Sequence, residues 1–95
     1  MGTTTYGDFE WDEDKAIRNE RKHGISFEEA STVFADPSYL LLPDARAPGR
    51  FLALGISGLA RVLVVVHIER GPRVRILSAR RATRTEEQTY ERRRF

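Results

Sequence analysis

Cysteine is absent from this 95-residue chain, which excludes a disulfide framework, a thiolate nucleophile and any cysteine-based metal site. No apolar run approaches the roughly 18 residues needed to span a bilayer. The start, MGTTTYGDFEW, lacks the basic and apolar stretches of a signal peptide, so a cytoplasmic protein that does not engage membranes is expected. The glycine patterns of dinucleotide and phosphate loops and the GxSxG nucleophile elbow are missing as well. With only two histidines and no cysteine, no metal-ligand spacing is recognisable and no cofactor is expected. The length allows a single core but not a separate substrate lobe, so residues 1–95 are read as one domain.

Lysine is scarce too, and the charge that is present is unevenly spread. Residues 1–30 carry eight acids against four bases, whereas residues 31–95 carry six acids against twelve bases, all of them arginine. Arginine offers a planar fork that binds phosphate through two parallel hydrogen bonds and stacks on bases, so the arginine-rich part suits nucleic acid. A solvated surface is the plainer alternative. The 40% hydrophobic content beside 32% charged residues marks a globular chain rather than a disordered one.

Phe9-Glu10-Trp11 alternates as a short edge strand does. Asp12 then caps a helix over 13–23, with acids in its first turn, Lys22 and His23 in its last, and Gly24 at a left-handed stop. Ala16 and Ile17 are its only plainly apolar residues. Ser26 and Glu29 form a capping box that opens a second helix, with Phe27, Ala30, Val33 and Phe34 on one face, ended by Asp36-Pro37. Strands follow at 39–42 and 51–56, separated by the loop 43–49. Val62 to Ile68 and Val74 to Ala79 make a hairpin around Arg70-Gly71-Pro72-Arg73. Thr83 and Glu86 form another capping box, opening a polar helix over roughly 84–94. The expected architecture is α+β: a mainly antiparallel sheet of about five strands, two N-terminal helices packed on it, and a C-terminal helix.

The hairpin decides which side chains meet. If Arg70 pairs with Arg73 across a two-residue turn and the ladder runs unbroken, Val64 faces Ala79, and His67 shares a sheet face with Arg80. A different loop length reverses the grouping. A histidine and an arginine on one face, with Arg81 beside them, suit a metal-free ribonuclease. That chemistry activates a ribose 2′-OH against the adjacent phosphate, and it needs a proton acceptor, a donor for the leaving 5′ oxygen, and cations on the transition state. Histidine titrates in the range for the first two tasks, while arginine holds charge but cannot act as a base. The plainer reading of His67 is a hydrogen-bonded histidine at the core edge. For Lys22 and His23 it is ordinary pairing with the helix dipole.

Three stretches together, FEWDEDKAIRNERKHGISFEEASTVFADP at 9–37, RFLALGISG at 50–58 and VLVVVHIERGPRVRILSARRATRTEEQTYE at 62–91, resemble the BrnT family of ribonuclease toxins. These belong to bacterial type II toxin-antitoxin systems. The resemblance implies a RelE-like α+β fold, RNA as substrate, metal-independent cleavage, growth arrest, and neutralisation by BrnA, a ribbon-helix-helix antitoxin through which the pair meets operator DNA. It also implies that the matching polar positions, Lys22, His23, Arg50, Arg70, Arg80 and Arg81, form the site. Catalytic roles are therefore expected of His67, Arg80, Arg81, Arg50 and His23, and RNA contacts of Lys22, Arg70, Arg73 and Arg75. One departure is visible: family members commonly carry an acid just before the arginine of the RFLALG-like strand, whereas Ala47-Pro48-Gly49 precede Arg50 here. That gap leaves open a second class of function, a non-catalytic binding module acting with its antitoxin.

Overall fold

The structure, a computed structural model, describes residues 2–94. Its strands are β1 (Thr3–Tyr6), β2 (Phe9–Asp12), β3 (Leu40–Pro43), β4 (Arg50–Ile56), β5 (Val62–Arg70) and β6 (Arg73–Arg81), and its helices α1 (Glu13–His23), α2 (Phe27–Ser31) and α3 (Arg84–Arg94). The strands form one sheet in the order β1-β2-β6-β5-β4-β3. The α+β class and the mainly antiparallel sheet are as expected, but the sheet has six strands rather than about five and includes one parallel pair. The extra strand comes from Thr3–Tyr6, folded back on β2 around Gly7, whose φ of 60° suits a glycine,. The parallel pair is β2 with β6, joined at Phe9↔Val74 and Glu10↔Arg75. It arises because everything from α1 to β5 acts as the crossover between those two strands.

The helix ends follow local chemistry. Asp12 accepts from the Lys15 N–H at 2.9 Å, and Gly24 closes α1 at φ 70°,. The box at Thr83 is complete: its hydroxyl accepts from the Glu86 N–H at 3.2 Å, and the Glu86 carboxylate accepts from the Thr83 N–H at 2.8 Å,. The box at Ser26 is only half made. Ser26 Oγ accepts from the Glu29 N–H, but the Glu29 carboxylate turns away to Arg61 and Ser57. The second helix is also shorter than expected, giving way after Ser31 to a 3-10 turn over Thr32–Ala35. Among the described residues no helix is long and apolar enough to cross a membrane.

Side chains alternate across the sheet, so each face has its own core. On the inner face, Ala53, Leu63, Val65, Ile76 and Ala79 pack under Ile25, Phe27, Ala30 and Val33 of the α2 segment, with Trp11 beside them. Fully burying one such large side chain contributes about 1.5–3 kcal/mol. On the outer face, α3 contributes Tyr90, which packs with Leu54 and Val64. The remainder of that outer face stays open, and the basic residues stand on it.

Candidate nucleic-acid interface

The β5-β6 ladder begins as expected, with Arg70↔Arg73, Ile68↔Arg75 and His67↔Ile76. It then slips by one residue at Leu77, so that Val66↔Ser78, Val65↔Ala79 and Val64↔Arg80 pair instead. A β-bulge of this kind exchanges the faces of everything beyond it. His67 and Arg80 consequently lie on opposite faces of the sheet, and the expected shared face is corrected.

His67 lies on the inner face, 3% exposed. Its ring stands edge-on to Phe34 with centroids 4.9 Å apart, and Nδ1 lies 3.2 Å from the Val65 carbonyl oxygen. A carbonyl only accepts, so Nδ1 carries the proton in that contact. Burial pushes the His67 imidazole pKa below its ordinary value,.

On the outer face the side chains form cross-strand rows. Arg50, Ile68 and Arg75 make one, Leu52, Val66 and Ser78 the next, and Leu54, Val64 and Arg80 the third. Arg70 and Arg73 extend the basic end toward the hairpin turn. Most of these guanidinium groups have a carboxylate. Glu10 accepts from Arg75 Nη1 at 2.7 Å and lies 3.9 Å from Arg70 Nε. Arg73 Nε is buried without a hydrogen-bond partner. Arg80 grips Glu86 of α3 through both terminal nitrogens, at 2.8 and 2.9 Å, which holds the Glu86 carboxyl down at about 2,.

Arg50 donates from Nε to Asp44 at 2.9 Å. The acid missing from the residues just before Arg50 is thus supplied in space by the loop, from six residues upstream. The Arg46 N–H and then the Arg50 guanidinium hold the Asp44 carboxyl below the usual carboxylate range. Sequence reasoning passed over Asp44 because it sits among turn residues.

Lys22 and His23 lie elsewhere, at the end of α1, which runs along the edge of β6 that β2 leaves free. Asn19 fixes that arrangement. Its side chain accepts from the Ala79 N–H and donates to the Ala79 and Ile25 carbonyls, standing in for a neighbouring strand. Asn19 is buried, whereas Ile17, expected on the apolar stripe, is 51% exposed. Beside Asn19 runs an open groove of about 370 Å³, with Lys15, Arg18, Lys22 and His23 on one wall and Leu77 and Ser78 on the other. Ser78 therefore belongs both to this groove and to the middle row of the outer face. Arg81 is exposed, and its charge helps lower the Glu29 pKa after the larger contribution of the Arg61 hydrogen bond.

The structure thus brings Arg50, Arg70, Arg73, Arg75 and Arg80 to one face and gathers Lys22 and His23 at its β6 border. It leaves His67 in the core beneath. Lys15 and Arg18 were missed by sequence reasoning, although their helical spacing with Lys22 was a readable signal.

Comparison with known proteins bears on the family and the fold. The family model described as the ribonuclease toxin BrnT of type II toxin-antitoxin systems matches residues 11–86. Among solved structures, the chain is similar to the ribonuclease toxin BrnT of Brucella abortus, known at 1.1 Å resolution. The TM-score is 0.65 at 25% identity, over 78% of this chain and 94% of that one. No curated protein sequence matches.

Proposed function

Since the chain belongs to the BrnT family of ribonuclease toxins of type II toxin-antitoxin systems, we propose that it is a metal-independent endoribonuclease, a single toxin domain over residues 1–95 that arrests growth in the cytoplasm. A BrnA-like ribbon-helix-helix antitoxin neutralises it and carries the pair to operator DNA. RNA lies across the open outer face, with Arg50, Arg70, Arg73 and Arg75 on its phosphates and Arg80 toward the reacting one, while Arg81, paired with Leu63, stands on the opposite face near Glu29. The observation that carries this reading is the alignment of Arg50, Arg75 and Arg80 on one side of the sheet, next to the groove that holds Lys22 and His23.

The reaction is attack of a ribose 2′ oxygen on the adjacent phosphorus with departure of the 5′ oxygen. The 2′-OH proton goes to a base, and an acid returns a proton to the leaving oxygen. Asp44 and Glu86 are poor bases, because their partners hold them ionised. His67 is shut in the core. His23 is the histidine with access to the groove, so proton transfer is assigned to it. The guanidinium groups stabilise the extra negative charge on the transition state. The non-catalytic alternative drew on the acid absent before Arg50. Asp44 gives that guanidinium a charge partner but not a base, so the cleavage assay below decides between the two readings.

Purified protein incubated with a long RNA in excess EDTA should leave 2′,3′-cyclic phosphate ends. RNA that stays intact at high protein concentration would overturn the assignment.

A further inference from the structure

Helix α1 is two-sided in charge. Lys15, Arg18 and Lys22 face the groove along the free edge of β6. Glu13 and Glu20 face the other way, around Ile17 and toward Glu28. Asp14 and Arg21 lie between these two sides by helical spacing,. None of the three groove cations has an ion pair among the described residues, whereas Arg50, Arg75 and Arg80 each have a carboxylate. The opposite wall is polar at Ser78 and apolar at Leu77, both half-buried. From Lys15 to Lys22 the helix rises about 10 Å, the length of roughly three stacked nucleotides at about 3.4 Å each.

Resting on the RNA-cutting reading above, we propose that this groove is a backbone subsite for single-stranded RNA leading away from the cut, in which Lys15 and Arg18 contact phosphates beyond the one held at Lys22 and His23. Unpaired cations are already poised for such contacts, since no carboxylate has to be displaced. The floor offers no array of donors and acceptors that would read base edges. The subsite therefore adds affinity for longer RNA without adding sequence preference.

The test uses uncleavable 2′-O-methyl RNA of three and of twelve nucleotides, titrated against the whole protein between 50 and 200 mM salt. Each phosphate contact to a single strand adds about 0.7 to the slope of log affinity against log salt. Lys15→Ala with Arg18→Ala should lower that slope by about 1.4 on the 12-mer, so that wild type loses about sevenfold more affinity than the variant over this range. The 3-mer should be unaffected. Arg92→Ala with Arg93→Ala, the same charge change placed on α3, should leave the slope unaltered. Lys15→Gln with Arg18→Gln repeats the measurement should the alanine pair unfold. An unchanged slope for both groove variants, or an equal fall for the α3 variant, would overturn the proposal, as would wild type binding that ignores RNA length. Wild type that binds the 12-mer through the groove but cuts no RNA would leave the subsite standing and defeat the nuclease reading instead.

Discussion

The side-chain amide of Asn19 meets the backbone of Ala79 twice, accepting its N–H at 3.0 Å and donating to its carbonyl at 2.9 Å. One helix residue thereby finishes the edge of β6 where β2 has already turned away into α1. It also holds the wall that carries Lys15, Arg18 and Lys22 against that strand.

Asn19→Ala removes both contacts and the bond to Ile25, and it leaves buried backbone groups unsatisfied. A loss of about 2–4 kcal/mol in urea unfolding is expected, from a penalty of about 1–3 kcal/mol for each unsatisfied group with partial relief by water. Asn19→Asp should also be destabilising, because a carboxylate cannot donate to the two carbonyls. Wild-type stability in either variant would show that the edge is held by packing alone.

The placement of the two histidines separates their expected behaviour. His23→Ala should slow RNA cleavage by about 100-fold or more, the usual contribution of a proton-transfer group. His67→Phe should stay within a few-fold of wild type, since the ring lies in the core among Phe34 and Phe51. The reverse order in a cleavage assay would return the chemistry to His67.

His67 also sets a pH dependence. Burial lowers its folded pKa below the unfolded value of about 6.5, so the unfolded chain binds the proton more readily,. Its contribution to stability is complete above about pH 6.5 and is lost as pH falls below that. NMR should find His67 titrating below the ordinary histidine value, and His67→Phe should flatten the acid limb of the stability curve,. A His67 ring that titrates at or above the ordinary histidine value would contradict the burial argument.

Tyr90 ties α3 to the body of the protein. Its hydroxyl donates to Asp36 at 2.6 Å, and Asp36 also accepts the Ile56 and Ser38 N–H groups. Burial, with the Asp36 carboxylate next, pushes the tyrosine pKa up to about 12. Stability from this group is therefore present below about pH 10 and is lost as pH rises through 12,. Tyr90→Phe should cost about 1.5–3 kcal/mol, the range for a hydrogen bond to a charged group. It should also remove that alkaline loss, as followed by circular dichroism.

Gly55 marks how closely α2 and its 3-10 extension press on β4. A methyl group there would stand 2.8 Å from Tyr39 Cβ and 3.0 Å from Val33 Cγ1. Gly55→Ala should destabilise by about 1–3 kcal/mol through overpacking. A variant as stable as wild type in denaturant would mean that the segment yields freely.

Much of the architecture was legible because its causes are local. Asp12 and Gly24 bound α1, Thr83 and Glu86 open α3, and Gly71-Pro72 sets the two-residue hairpin turn. Each depends on residues only a few positions apart, which is why spacing revealed them. The family was legible from the ordered stretches at the start, middle and end of the chain. The strand at Thr3–Tyr6 was overlooked although its turn glycine was visible, because a terminal segment earns its pairing only against β2.

By itself, then, the sequence determined the α+β class, the caps, the hairpin and an arginine-rich second part suited to RNA. Tertiary structure alone decided which of those charges share a face. One bulge at Leu77 put Arg80 on the open face and left His67 in the core, because a single-residue slip in a ladder of period two exchanges the faces beyond it,. The loop brought Asp44 to Arg50, and the free edge of β6 drew in Asn19 and aligned the α1 cations beside Ser78. These contacts join residues far apart in the chain or depend on a one-residue irregularity, so no local pattern encodes them.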